Sequence, residues 1–348
     1  MNRTGLFNTL TSFLIALAGA WLASLIHSPL PWMIGALLAT AIFKIGGLQG
    51  SCPGPLRNAG QWVIGTSLGL YFTSEMLRTI GHNMPFIVAG MLFALALGIV
   101  GSIVLHRWAQ VDFKTAWFSS AIGGASEMAN LAERHHARVD LVASAHSLRM
   151  MLVVVSIPFI FDALGIQGND TSLFSSTRFF DPFGFIGLLA ITSVAGYGFY
   201  RAGLPNPWVL GPMLATLLLT SQDIVLTHLP TQITNAGQLC IGWALGSKFG
   251  PTFFRKAPRF IAVVAIANIA NIVLVFGFSY LLYKLSDLPY ATLVLSTSPG
   301  GIAEMAITAK VLMLGAPVVS SFHVLRMVFI LLITAPLYEP LRRLIEQK

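Results

Sequence analysis

The chain has 348 residues, of which 55% are hydrophobic and only 10% charged, with mean hydropathy +0.76. A soluble domain carries about 25% charged residues, so the composition excludes an ordinary soluble enzyme and fits a protein embedded in a bilayer. The net charge of +8 does not argue for nucleic acid, because Lys and Arg lie in short patches between apolar runs, where charges set membrane topology.

Taken in chain order, the apolar segments fall near 6–26, 31–46, 58–75, 85–106, 115–131 and 139–161, then near 183–201, 207–221, 233–248, 259–283, 290–309 and 317–338. The first, with Arg3 before it and Ala18-Gly19-Ala20 within it, has the look of a secretory signal. A counterpart in the second half argues instead for a retained span. Uncharged runs such as Phe86 to Leu105 and Phe260 to Leu282 are long enough to cross about 30 Å of hydrocarbon.

The two sets of six are repeats. PWMIGALLAT at Pro31 returns as PWVLGPMLAT at Pro207, and NAGQ at Asn58 returns at Asn235. Gly123-Gly124-x-x-Glu127-Met128 returns as Gly300-Gly301-x-x-Glu304-Met305, and His146-x-Leu148-Arg149-Met150 as His323-x-Leu325-Arg326-Met327, both 177 residues on. Residues 1–164 are read as membrane repeat one and 182–348 as repeat two. Between them, 165–181 is read as a periplasmic linker, acidic through Asp170 and Asp181.

Loop charge then sets the orientation. Arg3, Lys44, Arg57, Arg107, Lys114, Arg134, Arg138, the 248–259 cluster with Arg255 and Lys256, and Arg342-Arg343 all belong inside. Twelve full crossings cannot satisfy this pattern, but about ten spans plus two broken or re-entrant fifth segments can. Five crossings per half give opposite orientations, which is an inverted-topology repeat. The Arg78 loop falls outside in this arrangement, against the pattern. The expected fold is an all-α polytopic membrane protein with both termini cytoplasmic.

The chemistry concentrates in the duplicated motifs. Gly-Gly permits a helix break, a tight turn or close backbone approach. A helix beginning after Gly124 or Gly301 would point its amino end, which favours anions, into the protein. Glu127 and Glu304 then occupy the third helical position, either capping the helix start or carrying a coupling proton or cation. His146 and Arg149, and His323 and Arg326, share helix faces. The arginines either pair with Glu127 and Glu304 or grip a substrate carboxylate. A metal site from Glu127, His146, Glu304 and His323 has no sequence-local motif behind it, and Cys52 and Cys240 have no metal-like spacing, so no metal and no cofactor are expected. Asn58 and Asn235 read as helix caps, Pro31-Trp32 and Pro207-Trp208 as helix starts with interfacial Trp anchors, and Asn268 and Asn271 as interhelical bonding groups. His135-His136 reads as a solvated pair.

The paired GGxxEM and HxLRM motifs, with PWxxG before them, resemble the AbrB-type membrane protein family, as two AbrB-duplication domains spanning nearly the whole chain. The most specific stretches are TSPGG at Thr297 to Gly301, SAIGG at Ser120 to Gly124, and the two LRM triplets. Ile122 stands where the second half has Pro299, so the first break should be softer. In plan the family is similar to the cation–proton antiporter and bile-acid symporter group. That resemblance implies a transport fold with a panel or dimerisation part, compatible with a homodimer. Family members carry labels such as ammonia monooxygenase or regulator of gene expression.

The expected function is a non-enzymatic secondary transporter in a bacterial inner membrane, moving a small, anionic or carboxylate-bearing solute with a coupling proton or cation. Gly123, Gly124, Arg149, Ser298, Pro299, Gly300, Gly301 and Arg326 would bind the solute. Glu127, Glu304, His146 and His323 would handle the ion. A regulator of gene expression acting indirectly without transport, or a membrane metalloenzyme, are the alternatives. The partners are the lipid bilayer and the solute, and nucleic acid is not among them.

Overall fold

The computed structural model describes residues 3–28, 30–70, 72–168, 180–251, 253 and 257–346. Most of the acidic linker, with Asp170, and Arg255 and Lys256 of the basic loop lie outside the described residues. Among the described residues there are fifteen helices and no strand. In half one these are α1 (Arg3–Leu25), α2 (Pro31–Ile45), α3 (Gly54–Gly69), α4 (Ser74–His82), α5 (Met84–Ala109), α6 (Phe113–Ser120), α7 (Ala125–Arg134) and α8 (Val139–Ala163). In half two they are α9 (Pro182–Arg201), α10 (Pro207–Thr220), α11 (Thr231–Gly246), α12 (Pro258–Leu285), α13 (Tyr290–Thr297), α14 (Ile302–Val311) and α15 (Ala316–Glu346).

Six of them, α1, α5, α8, α9, α12 and α15, are long and apolar enough to cross a membrane. The chain is a multi-pass membrane protein. The second and third segments of each half are shorter: α2 has 15 residues, α3 has 16, α10 has 14 and α11 has 16. At 1.5 Å per residue each covers only about 21–24 Å, short of a hydrocarbon core of roughly 30 Å. The fifth segments are each interrupted, into α6 and α7 and into α13 and α14. Arg78 lies on the short helix α4.

Local sequence explains the helix starts. Pro31 and Pro207 stand at the first position of α2 and α10, where a missing N–H costs nothing. Asn58 and Asn235 are not caps as expected. They lie one turn inside α3 and α11, whose caps are Pro53 and Pro230. With its amide oriented to suit its neighbours, Asn58 accepts from Trp208 Nε1 at 3.2 Å and donates to the Gly54 carbonyl at 3.3 Å.

The chain divides into two compact units, each drawing on both halves. The first comprises Met1–Gly81, Ile157–Thr252 and Ala306–Pro317, and the second His82–Ser156, Phe253–Met305 and Val318–Lys348.

In the first unit α2 packs on α1 and α11, while α10 packs on α9 and α3. Glycines let these backbones meet. Gly65 of α3 lies against the Val209 carbonyl of α10, and Gly242 of α11 against the Met33 carbonyl of α2. One turn on, a Cβ at Gly69 would stand 2.5 Å from the Met213 carbonyl oxygen, and one at Gly246 would stand 2.5 Å from that of Leu37. The contacts are reciprocal: what α3 does to α10, α11 does to α2. Trp243 Nε1 also donates to Ser12 Oγ at 2.8 Å, tying α11 to α1.

In the second unit α5 and α12 pack together, with Phe93 stacked on Phe278 at a centroid distance of 4.0 Å. Around α6 and α7, Phe113, Trp117, Phe118, Met128, Val142, Ile330 and Tyr338 form a buried cluster. Trp117 Nε1 donates to the Thr334 carbonyl at 3.0 Å. In lipid such packing contributes through van der Waals contact and hydrogen bonding rather than through escape from water.

Candidate functional site: two broken helices held by buried arginines

Each break is four residues long, 121–124 between α6 and α7 and 298–301 between α13 and α14. The backbone there is extended, with φ −56° and ψ 128° at Ala121 and φ −62° and ψ 146° at Ser298. None of Gly123, Gly124, Gly300 or Gly301 has a positive φ. The glycines are needed for close approach instead. A Cβ at Gly123 would stand 2.9 Å from Met128 Cε, and one at Gly300 would stand 2.5 Å from Met305 Cγ. One at Gly301 would meet Glu304 Oε2, with Met150 Cε at 2.5 Å.

A helix that stops inside the protein leaves carbonyls without N–H partners. Arg149 supplies donors to the first break: Nη1 bonds the Ala121 carbonyl at 2.9 Å and Nη2 the Gly123 carbonyl at 3.0 Å. Arg326 does the same for the second break. Its Nη1 bonds the Ser298 carbonyl at 2.5 Å, and its Nη2 bonds the Gly300 carbonyl at 2.7 Å. Each acceptor in the second half lies 177 residues beyond its counterpart in the first. Both arginines are buried, at 4% and 5% exposure, and the Arg149 charge acts on Arg326. Of the two roles open to the arginines, pairing with Glu127 and Glu304 or gripping a substrate carboxylate, the observed contacts match neither: both guanidiniums bond the unwound backbone. The Nε atoms of both arginines are buried without a hydrogen-bond partner.

The histidines belong to the same scaffold. His146 Nε2 donates to the Phe118 carbonyl and His323 Nε2 to the Leu295 carbonyl, each at 2.9 Å. His323 Nδ1 also lies 2.9 Å from Arg326 Nη2. A carbonyl only accepts and a guanidinium only donates, so His323 is neutral here, with its proton on Nε2. Protonating Nδ1 would break that bond and set two cations side by side.

The two carboxylates differ. Glu304 is 7% exposed and turns back toward its helix start, with Oε2 against Gly301. Glu127 occupies the equivalent third position of α7, but its Oε2 is buried with no hydrogen-bond partner. Among the described residues no three His, Cys, Asp or Glu side chains come together as a metal-binding group. The sequence candidates Gly123, Gly124, Glu127, His146, Arg149, Ser298, Pro299, Gly300, Gly301, Glu304, His323 and Arg326 all fall in the second compact unit.

Asn268 is not the interhelical group it was expected to be. Its Nδ2 donates to the Val264 carbonyl of its own helix at 2.7 Å. Lys310 was passed over in the sequence. At the end of α14 it donates from Nζ to Ser67 Oγ at 2.7 Å within the first unit. The signal for it was a lone cation closing an apolar segment, but the repeat places Glu133 at the matching position, so no duplicated motif marked it.

Comparison with known proteins agrees with the duplicated motifs. A family model described as transition state regulatory protein AbrB matches residues 32–342. The chain is 25% identical over 359 aligned positions to "Uncharacterized protein YhjN" of Bacillus subtilis (strain 168), covering 96% of this chain and 93% of that one. It is 26% identical over 313 positions to "Putative regulator AbrB" of Escherichia coli (strain K12), covering 89% of each chain. No solved structure matches the chain. With the family model covering most of its length and both copies of the Gly-Gly-x-x-Glu-Met and His-x-Leu-Arg-Met motifs, the chain belongs to the AbrB membrane family.

Proposed function

We propose that the protein is a secondary transporter of a small, anionic or carboxylate-bearing solute, coupled to a proton or cation at the two broken helices. The observation that carries this reading is the pair of buried Nε–H donors on Arg149 and Arg326, each without an acceptor. A buried unsatisfied donor on a cation calls for an explanation, and an anionic oxygen is the acceptor that suits it.

Charge balance supplies the coupling. Each break sets a guanidinium on the carboxyl end of one half-helix and a carboxylate near the amino end of the next, where the helix dipoles favour them. Protonating a glutamate leaves an arginine uncompensated in a low-dielectric setting and favours an anion. Releasing the proton favours the anion's departure. Glu127 is the better proton carrier, since its Oε2 makes no hydrogen bond. The two halves are read as inverted-topology repeats, with the short helices α2, α3, α10 and α11 completing about ten crossings. The membrane is read as the bacterial inner membrane with both termini inside, on the loop charges. We read the protein as a non-enzyme that uses no nucleic acid.

The test is a thermal-stability screen of the purified protein against small carboxylates, amines, sodium, divalent metals and pH. Ligands that bind the native state raise its melting point by mass action. A carboxylate shift lost in both Arg149→Gln and Arg326→Gln, followed by uptake of that carboxylate into proteoliposomes, is the expected result. No shift from any compound, with the variants equally well folded, would sink the reading.

A second reading is favoured by the name of the Escherichia coli relative: a membrane regulator that senses a ligand without moving it. It predicts a melting shift but no uptake.

A further inference from the structure

At one end of the second unit lies a cavity of about 370 Å³, lined by residues from three elements. The start of α6 gives Asp112, Phe113 and Lys114, the end of α7 gives Arg134, His135 and His136, and α15 gives Tyr338, Glu339 and Arg342. The volume falls in the range of small-molecule sites. Its floor is aromatic and buried: Tyr338 is 4% exposed, and its ring lies 5.3 Å from His135 and 6.3 Å from Phe113.

Its lining sets three cations, Lys114, Arg134 and Arg342, against two carboxylates, Asp112 and Glu339. Asp112 is committed to capping α6, accepting from Thr115 N at 3.0 Å and Thr115 Oγ1 at 2.9 Å. Glu339 lies 3.5 Å from Arg342 on an exposed surface, an arrangement worth little. Lys114 and Arg134 have no carboxylate of their own among the lining residues. A cationic rim over an aromatic floor suits an anion with a planar or apolar part.

We propose that this cavity is a binding site for a small phosphate-bearing anion, gripped by Lys114, Arg134 and Arg342, with Tyr338 and His135 against its apolar portion. The site is separate from the breaks and does not depend on the transport reading. It touches that reading at one point: α7, only ten residues long, runs from Gly124 and Glu127 at one end to Arg134 and His135 at the other. An occupant that fixes the end of α7 biases the break at its start.

The phosphate could belong to a soluble compound or to the headgroup of an anionic lipid, and the test separates them. Pyrophosphate is titrated calorimetrically into the full chain in neutral detergent and in phosphatidylcholine nanodiscs with and without phosphatidylglycerol. One saturable site is expected, weakened at least tenfold by the double variant Arg134→Gln, Arg342→Gln and kept by Arg149→Gln. Arg342→Gln alone alters a side chain that is 42% exposed, so it tests the site without threatening the fold; a threefold or greater weakening is expected. If phosphatidylglycerol displaces pyrophosphate, the native occupant is a lipid headgroup; if it does not, the occupant is soluble. Absence of saturable binding, or equal binding in wild type and the Arg134 and Arg342 variants, overturns the proposal. So does binding lost only with Arg149→Gln, which would place pyrophosphate at the breaks.

Discussion

Replacing Arg326 with methionine keeps an unbranched apolar stem and removes every donor. The Ser298 and Gly300 carbonyls then lose their partners inside a buried break, and His323 Nδ1 loses its own. Leaving a buried acceptor unsatisfied costs about 1–3 kcal/mol, so the two carbonyls alone set the expected loss at roughly 2–6 kcal/mol. Arg149→Met removes the donors to Ala121 and Gly123 but breaks no hydrogen bond to a histidine Nδ1, since that of His146 makes none. It should cost about 1 kcal/mol less, the net value of one hydrogen bond. The assay is equilibrium unfolding in mixed detergent micelles, followed by tryptophan fluorescence. A double-mutant cycle with His323→Ala isolates the extra bond, which should appear as a coupling energy of about 1 kcal/mol. If both Arg→Met variants unfold within about 0.5 kcal/mol of wild type, a range ordinary for surface substitutions, the arginines do not hold the breaks and the argument fails.

Three further outcomes follow from the same geometry. Gly300→Ala should destabilise more than Gly123→Ala, because its new Cβ meets Met305 Cγ at 2.5 Å, close to the main chain, whereas at Gly123 the first obstacle is the mobile Met128 Cε at 2.9 Å; overpacking of this kind costs about 1–3 kcal/mol, and unfolding midpoints rank the pair. Cys52, in the connection between α2 and α3, has its thiol pushed up to about 12 by burial and then by the neighbouring Cys240. Its alkylation by iodoacetamide should therefore stay slow at pH 8–9, and any stability it contributes is complete below the ordinary thiol range and is lost as pH rises from there toward 12. Fast labelling at pH 8 would contradict this. Trp243→Phe and Ser12→Ala should each cost about 1 kcal/mol, and the double variant no more than either alone, since both break the same buried bond.

Much of the second unit was legible because duplication writes its important positions twice. The spacing of 177 that links Arg149 to Arg326 also links their carbonyl acceptors, and both fifth segments break where Gly-Gly stands. What could not be read was the arginines' partner. A sequence displays carboxylates such as Glu127 and Glu304, but it does not display the orphan carbonyls that a helix break creates. Asn58 and Asn235 misled for a related reason: a polar residue near the start of an apolar run resembles a cap, yet Pro53 and Pro230 start those helices a turn earlier. The cavity at Tyr338 was invisible because Lys114, Arg134 and Arg342 are far apart in the chain and each was already explained as a topology charge. The charged loop around His135 suggests a solvated side chain, whereas its ring packs against Phe118 and Tyr338.

The reciprocal contacts of the first unit constrain how the protein is made. The helices α2 and α3 emerge early, but the helices they pack on, α11 and α10, belong to the second half of the chain. Until synthesis passes Gly246, neither can complete its packing, so a nascent half-chain presents unfinished seams to the membrane. A truncated first repeat should accordingly be unable to settle as a monomer and should seek a second copy of itself, each supplying the helices the other awaits. In that light the single chain is a pair of interlocked halves, each completed by helices that the other supplies.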